Sequence, residues 1–155
     1  MEFTVNREIT FMEGSSKIAS VMEGYSGKEE AVIYGKLRAL FGEPTYETKN
    51  LEEQYSYFLT AKDEAGEVHI EVYSGASGPS VGGMDDEKSK AAAEALIKML
   101  ETAVPSDYEY EGYYLDGPSK VCCGVRNGEP FWLEEELEYN GEEFQKACRL
   151  IYPKR

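Results

Sequence analysis

The side chains of this sequence that could do chemistry are carboxylates interleaved with aromatic rings, in "DYEYEGYYLD" at 107–116 and "FWLEEELEY" at 131–139. Carboxylates can act as an acid–base pair, hold a metal ion or grip a cationic partner, and spacing separates these uses. Nothing in the spacing singles out an acid–base pair, and the D-x-D-x-D-G order of a calcium loop does not occur. What stands out is concentration. Residues 107–143 carry eleven acids against two bases, Lys120 and Arg126, in a chain of net charge −14.

Strand periodicity sorts residues 107–116 into two faces, Tyr108, Tyr110 and Tyr114 on one, Asp107, Glu109, Glu111 and Tyr113 on the other. Carboxylates on one face then recur at about 7 Å and repel each other. Solubility alone does not require this crowding, because dispersed charges serve as well. A partner rich in arginine and lysine would offset the repulsion, and tyrosine and tryptophan supply large contact area with few rotors. The candidate partner-binding residues are therefore Asp107, Glu109, Glu111, Tyr113, Asp116, Trp132, Glu134, Glu136 and Glu138. The competing reading puts the rings in the core and the acids in water, as solvated decoration.

Other candidates for chemistry are weaker. His69 is the single histidine and sits on the polar side of a predicted strand, without a spaced partner. Cys122, Cys123 and Cys148 give neither a disulfide framework nor a zinc pattern. They read as free thiols of a reducing compartment. "SGASGPSVGGMDD" reads as a glycine-rich loop before a helix, a setting that can cradle phosphate. Asp85, Asp86 and Glu87 already occupy that helix start, however, and the P-loop lysine and Rossmann spacing are missing.

These residues must be held by elements the pattern makes legible. "FTVNREITF" alternates as a half-buried strand, while "KIASVM" fits a strand or a short helix. Ser26 and Glu29 form a capping box, and Ile33, Leu37, Leu40 and Phe41 predict a helix from about Gly27 to Phe41. Residues 54–73 read as a hairpin turning at Asp63–Gly66. Ala92, Leu96, Met99, Leu100 and Ala103 predict a second helix that Pro105 ends. Asn127-Gly128 predicts a hairpin turn. Asn140 and Glu143 resemble a second capping box, before a helix carrying Phe144, Ala147, Cys148 and Ile151. The expected class is α+β, one domain over 1–155, with about three helices on one antiparallel sheet.

The 30% charged, 41% apolar composition fits a folded, hydrophilic chain. Net negative charge disfavours nucleic acid and anionic membrane, whose phosphates need clustered cations. With no signal-like or spanning stretch, a cytoplasmic location is expected.

A small acidic α+β chain with "DYEYEGYYLD" and "FWLEEELEY" resembles the immunity proteins of bacterial polymorphic toxin and contact-dependent inhibition systems. The resemblance implies a non-catalytic protein without cofactor or metal, whose partner is a basic protein: a cognate toxin, in many cases a nuclease, blocked by occlusion of its active site. Two alternatives stand beside it. One is a ligand-binding or enzymatic domain using loop 74–84; the other is an adaptor for a basic host protein.

Overall fold

The computed structural model describes residues 1–8, 14–22, 27–75 and 78–153. The class is α+β, and the strands divide between two antiparallel sheets rather than one. The chain runs β1 (Glu2–Asn6), β2 (Ser16–Ser20), α1 (Gly27–Phe41), β3 (Tyr46–Glu47), a 3₁₀ turn (Leu51–Glu53), β4 (Tyr55–Asp63), β5 (Gly66–Gly75) and β6 (Gly78–Gly83). There follow α2 (Glu87–Thr102), β7 (Tyr108–Tyr114), β8 (Ser119–Arg126), β9 (Glu129–Glu136) and α3 (Glu142–Ile151). The large sheet is ordered β1-β4-β5-β6-β2, with β3 pairing β4; the small one is β7-β8-β9.

One apolar core joins the two sheets, and α1 sits at its centre. Tyr34 of α1 is fully buried, stacks on Tyr55 at 4.3 Å between ring centroids, and meets Tyr57 and Tyr108 edge-on. Tyr55 and Tyr57 belong to the large sheet and Tyr108 to the small one. Alternation in β4 puts Tyr55, Tyr57, Leu59 and Ala61 on the helix side, and in β5 Ile70 and Val72. α2 lays Ser89, Ala92, Ala93, Leu96 and Leu100 on the same side of the large sheet. The third helix packs elsewhere. Ala147 and Ile151 of α3 join Tyr113, Leu115 and Leu137 in a small cluster on the far face of β7-β8-β9.

Two expectations of local structure are corrected. The glycine-rich stretch is largely strand: residues 78–83 form β6, buried throughout between β5 and β2, while 76–77 lie outside the described residues. Its glycines are seats for neighbours. A β-carbon at Gly82 would come within 3.2 Å of the Tyr73 ring, and one at Gly83 within 3.0 Å of Ile18. A phosphate-cradling role for this stretch falls with that burial, and Asp86 caps α2, accepting the Ser89 amide at 2.7 Å. The cap of α3 is Gly141, which has no side chain to offer; Asn140 adopts φ +61° instead of capping. The Ser26–Glu29 box lies partly outside the described residues, as does the end of the first predicted strand. Asn127 and Gly128 have the positive φ values of a tight hairpin turn, as the sequence predicts. No helix among the described residues is long and apolar enough to cross a membrane.

Candidate functional site: an acidic, aromatic corner

Register in the small sheet decides which acids can act together. Glu109 pairs through Gly124 with Phe131, Glu111 through Cys122 with Leu133, and Tyr113 through Lys120 with Glu135. Those residues share the face turned away from α1. Trp132, Glu134 and Glu136 alternate with them and share the α1 side with Tyr110 and Tyr114. The nine residues expected to form one patch are thus split by the sheet.

On the outer face the acids already have partners within the chain. Asp107 accepts the backbone amides of Asn127 and Gly128 at 2.8 and 3.1 Å, pinning the hairpin turn. Glu109 pairs with Arg126, and Glu111 lies 3.6 Å from the Lys120 ammonium. Tyr113 is not the desolvated surface anchor expected of it. It is 1% exposed under α3, packed with Leu137 and Ala147, and its hydroxyl donates to Glu111 at 3.3 Å. Glu138 is exposed beside Gly141 at the turn into α3, and its carbonyl accepts the Gly141 amide at 2.9 Å.

On the α1 side of the small sheet, Trp132 is half-buried against the first residue of the helix, while Glu134 and Glu136 further along β9 are exposed. Trp132 closes the core there: a β-carbon at Gly27 would sit 2.5 Å from its ring. Beyond Trp132 lies an open groove of about 520 Å³, lined by Glu52, Tyr114, Asp116, Ser119, Trp132 and Glu134 among others. Ser119 donates to Glu134 at 3.1 Å, which orients that carboxylate. The structure thus brings Asp116, Trp132 and Glu134 together. Glu136 follows on the same strand face, opposite Ser119.

Sequence reasoning missed the other half of this corner. Glu52 also borders a second depression of about 430 Å³, lined by Tyr46, Glu53, Glu71, Tyr73, Ser74 and Gly75. This one lies beside the ends of β3 and β5, against the 3₁₀ turn. Glu71 is half-buried, and burial raises its carboxyl pKa above the ordinary value. Tyr46 and Tyr73 are raised for the same first cause, burial. Alternation in "HIEVY" does place His69, Glu71 and Tyr73 on one face. That this face meets residues 114–134 through Glu52 is a tertiary fact with no local sign.

No family model, curated protein or solved structure significantly matches this chain. The reading of the corner therefore rests on its own geometry. The other candidate groups lie elsewhere or are held by the fold. His69 is exposed, with Nδ1 3.1 Å from the Thr60 hydroxyl. Burial pushes the Cys123 thiol up to about 12, so it stays protonated at neutral pH. No group of three or more histidine, cysteine, aspartate or glutamate side chains suited to a metal ion occurs among the described residues.

The contact between Gly27 and Trp132 makes the single tryptophan a reporter of this corner. Alanine at position 27 should force the ring outward, destabilising the protein by about 1–3 kcal/mol despite alanine's better helix propensity. Tryptophan emission should shift to the red, and urea unfolding should give the stability change. An unshifted spectrum with unchanged stability would refute the close packing.

Proposed function

We propose that the chain is a non-catalytic binding protein that docks a basic protein partner against this corner, in the manner of an immunity protein occluding a toxin's active site. One observation carries the reading. The two depressions meet at Glu52, so Glu52, Glu53, Glu71, Asp116 and Glu134 edge one continuous surface with Tyr46, Tyr73, Tyr114 and Trp132. Among the described residues lining it there is no lysine or arginine. The outer face of the small sheet differs, because Arg126 and Lys120 there pair with Glu109 and Glu111.

Carboxylates without an ion pair, around half-buried rings, suit a surface rich in arginine and lysine. The rings supply contact area that is stiff and amphipathic, and the acids set orientation and speed of encounter. If the partner acts on nucleic acid, the same acids would stand where substrate phosphates bind. The mechanism asks nothing of this chain but shape and charge: it blocks access and transfers no proton.

The test is co-purification of the tagged protein from its host, followed by measured association with the partner so identified. Association should be fast at about 50 mM salt and fall by one or more orders of magnitude at about 500 mM, as electrostatic steering is screened. A partner of acidic surface, or a rate indifferent to salt, would defeat the proposal.

A further inference from the structure

We propose that the depression between Tyr46, Glu71 and Tyr73 is a receptor for a guanidinium group, with Glu71 as the carboxylate that pairs it. The site lies on the face of the large sheet opposite α1 and α2. Tyr46, Ser56 and Tyr73 are register neighbours across β3, β4 and β5, and Phe58, Glu71 and Gly82 form the next row. All therefore point to this same face.

Three features mark it as built for a cationic, planar, hydrogen-bonding group. Glu71 is half-buried, and among the described residues no ion pair reaches it; Glu52 and Glu53 on the rim add charge of the same sign. Beneath it the Ser56 hydroxyl is fully buried with no partner at hydrogen-bonding distance, though Glu71 and Tyr46 lie near enough to feel it. An unpaired buried hydroxyl is costly, and this one lies in register between Tyr46 and Tyr73, the two rings that flank the depression. The flanking rings are positioned, too. Tyr73 rests beside Gly75 and Gly82, whose β-carbons would approach its ring to 3.3 and 3.2 Å, and Tyr46 lies against Phe58 at 6.4 Å.

A guanidinium matches these features better than an ammonium. It stacks on aromatic rings, offers two parallel donors to one carboxylate, and has further donors for a hydroxyl such as that of Ser56. The proposal deepens the binding reading and rests on it only for the source of the group, an arginine of the partner. A free guanidino compound has the same chemistry, so the experiment separates the two sources.

The labelled protein is titrated with N-acetyl-arginine amide and followed by NMR, with N-acetyl-lysine amide and an arginine-bearing basic peptide as parallel arms. Shifts should cluster at Tyr46, Ser56, Glu71 and Tyr73 and saturate at about 1–10 mM. Lysine amide should bind about fivefold or more weakly, since it lacks the bidentate fork. Tighter binding of the peptide than of the amide points to a protein source, and equal binding to a free small molecule. Glu71→Gln should weaken arginine amide at least about tenfold with the remaining spectrum unchanged. Ser56→Ala keeps the charge, tests the hydroxyl if the first variant misfolds, and should weaken binding about threefold.

Binding should also fade as the pH drops through the raised Glu71 pKa, because protonation removes the pairing charge. The other ionisable groups around it are Tyr46, Tyr73, Glu52 and Glu53, then His69 two residues back on β5 and Lys17 across β6 opposite Gly82. Equal affinity of Glu71→Gln and the parent, equal affinity for lysine and arginine, or shifts centred on Asp116 and Glu134 would each overturn the proposal. Loss of arginine binding in Glu71→Gln with partner capture intact confirms this pocket and leaves the partner elsewhere. Loss of capture on reversing Asp116 and Glu134 with arginine binding intact leaves this pocket standing alone.

Discussion

Above about pH 10 the protein should unfold steeply, losing on the order of 5–7 kcal/mol of stability per pH unit. Tyr34, Tyr55, Tyr57, Tyr108 and Tyr110 all have hydroxyls raised well above the ordinary tyrosine value, with burial the first cause in each. In the unfolded chain these hydroxyls ionise near pH 10, while in the folded state they keep their protons. Between those two pKa values the folded state holds more protons, so the stability present below about pH 10 is lost as pH rises toward the folded pKa. Each group contributes about 1.4 kcal/mol per unit at full slope.

Hydrogen bonding reinforces the effect. Tyr57, Tyr108 and Tyr110 donate to the carbonyls of Gly42, Ala31 and Thr48 at 2.8, 2.8 and 2.9 Å, and Tyr34 donates to Glu47. A phenolate would set negative charge against each acceptor. Cys123 adds a window from the ordinary thiol value up to about 12, of the same sign. With total stability of a domain typically about 5–15 kcal/mol, unfolding should be complete near pH 11–12. Tyrosinate absorbance and the far-ultraviolet circular dichroism should change together in one transition. All twelve tyrosines titrating near pH 10 with the helix signal unchanged would contradict this burial.

The same tyrosines show how far sequence pattern reaches. Alternation correctly separated Tyr108 and Tyr110 from Glu109 and Glu111, because a period of two is fixed by the backbone. It put Tyr113 outside with the acids, and that face is indeed where Tyr113 points. What alternation could not carry is that α3 returns there and buries it. The helix over Gly27–Phe41 and the Asn127-Gly128 hairpin were legible because stripe, stop signal and turn residues are local. Strand β6 was not, since glycine and proline carry weak strand signal and the segment survives only by burial between β5 and β2.

The acidic site was half legible for a related reason. Counting charge found residues 107–143, but registers of β7, β8 and β9 divide those acids between two faces. On the α1 side Asp116 and Glu134 gain Glu52 from a turn more than sixty residues earlier in the chain. Glu52 and Glu53 alone read as an unremarkable acidic pair. Their position follows from the parallel bridge between Asn50 and Tyr113 and from the Tyr113 amide donating to the Lys49 carbonyl at 2.9 Å, which dock the 3₁₀ turn on β7.

Reversing charge at Glu52, Asp116 and Glu134 to lysine should slow association with the basic partner by about 10- to 10³-fold at low salt. The three line one groove, so each reversal removes an attraction and adds a repulsion at the same docking surface. The dependence of rate on salt should flatten along with it, because the steering field itself has been removed. Melting should move little: these carboxylates crowd one another, and reversing them relieves like-charge repulsion. The decisive comparison is Glu109→Lys with Glu111→Lys. Those changes remove as much negative charge per site, but from the outer face, where the carboxylates already pair with Arg126 and Lys120. Exposed pairs of that kind contribute about 0–1 kcal/mol, so the double variant should remain folded, and its association should slow far less than that of the groove variant. Stopped-flow association of both variants at several salt concentrations measures the difference. Equal slowing per reversed charge by the two sets would mean that net charge alone governs encounter. Greater slowing by the outer pair would move the docking surface to the far side of the sheet, where Phe131 and Leu133 lie beside the paired acids.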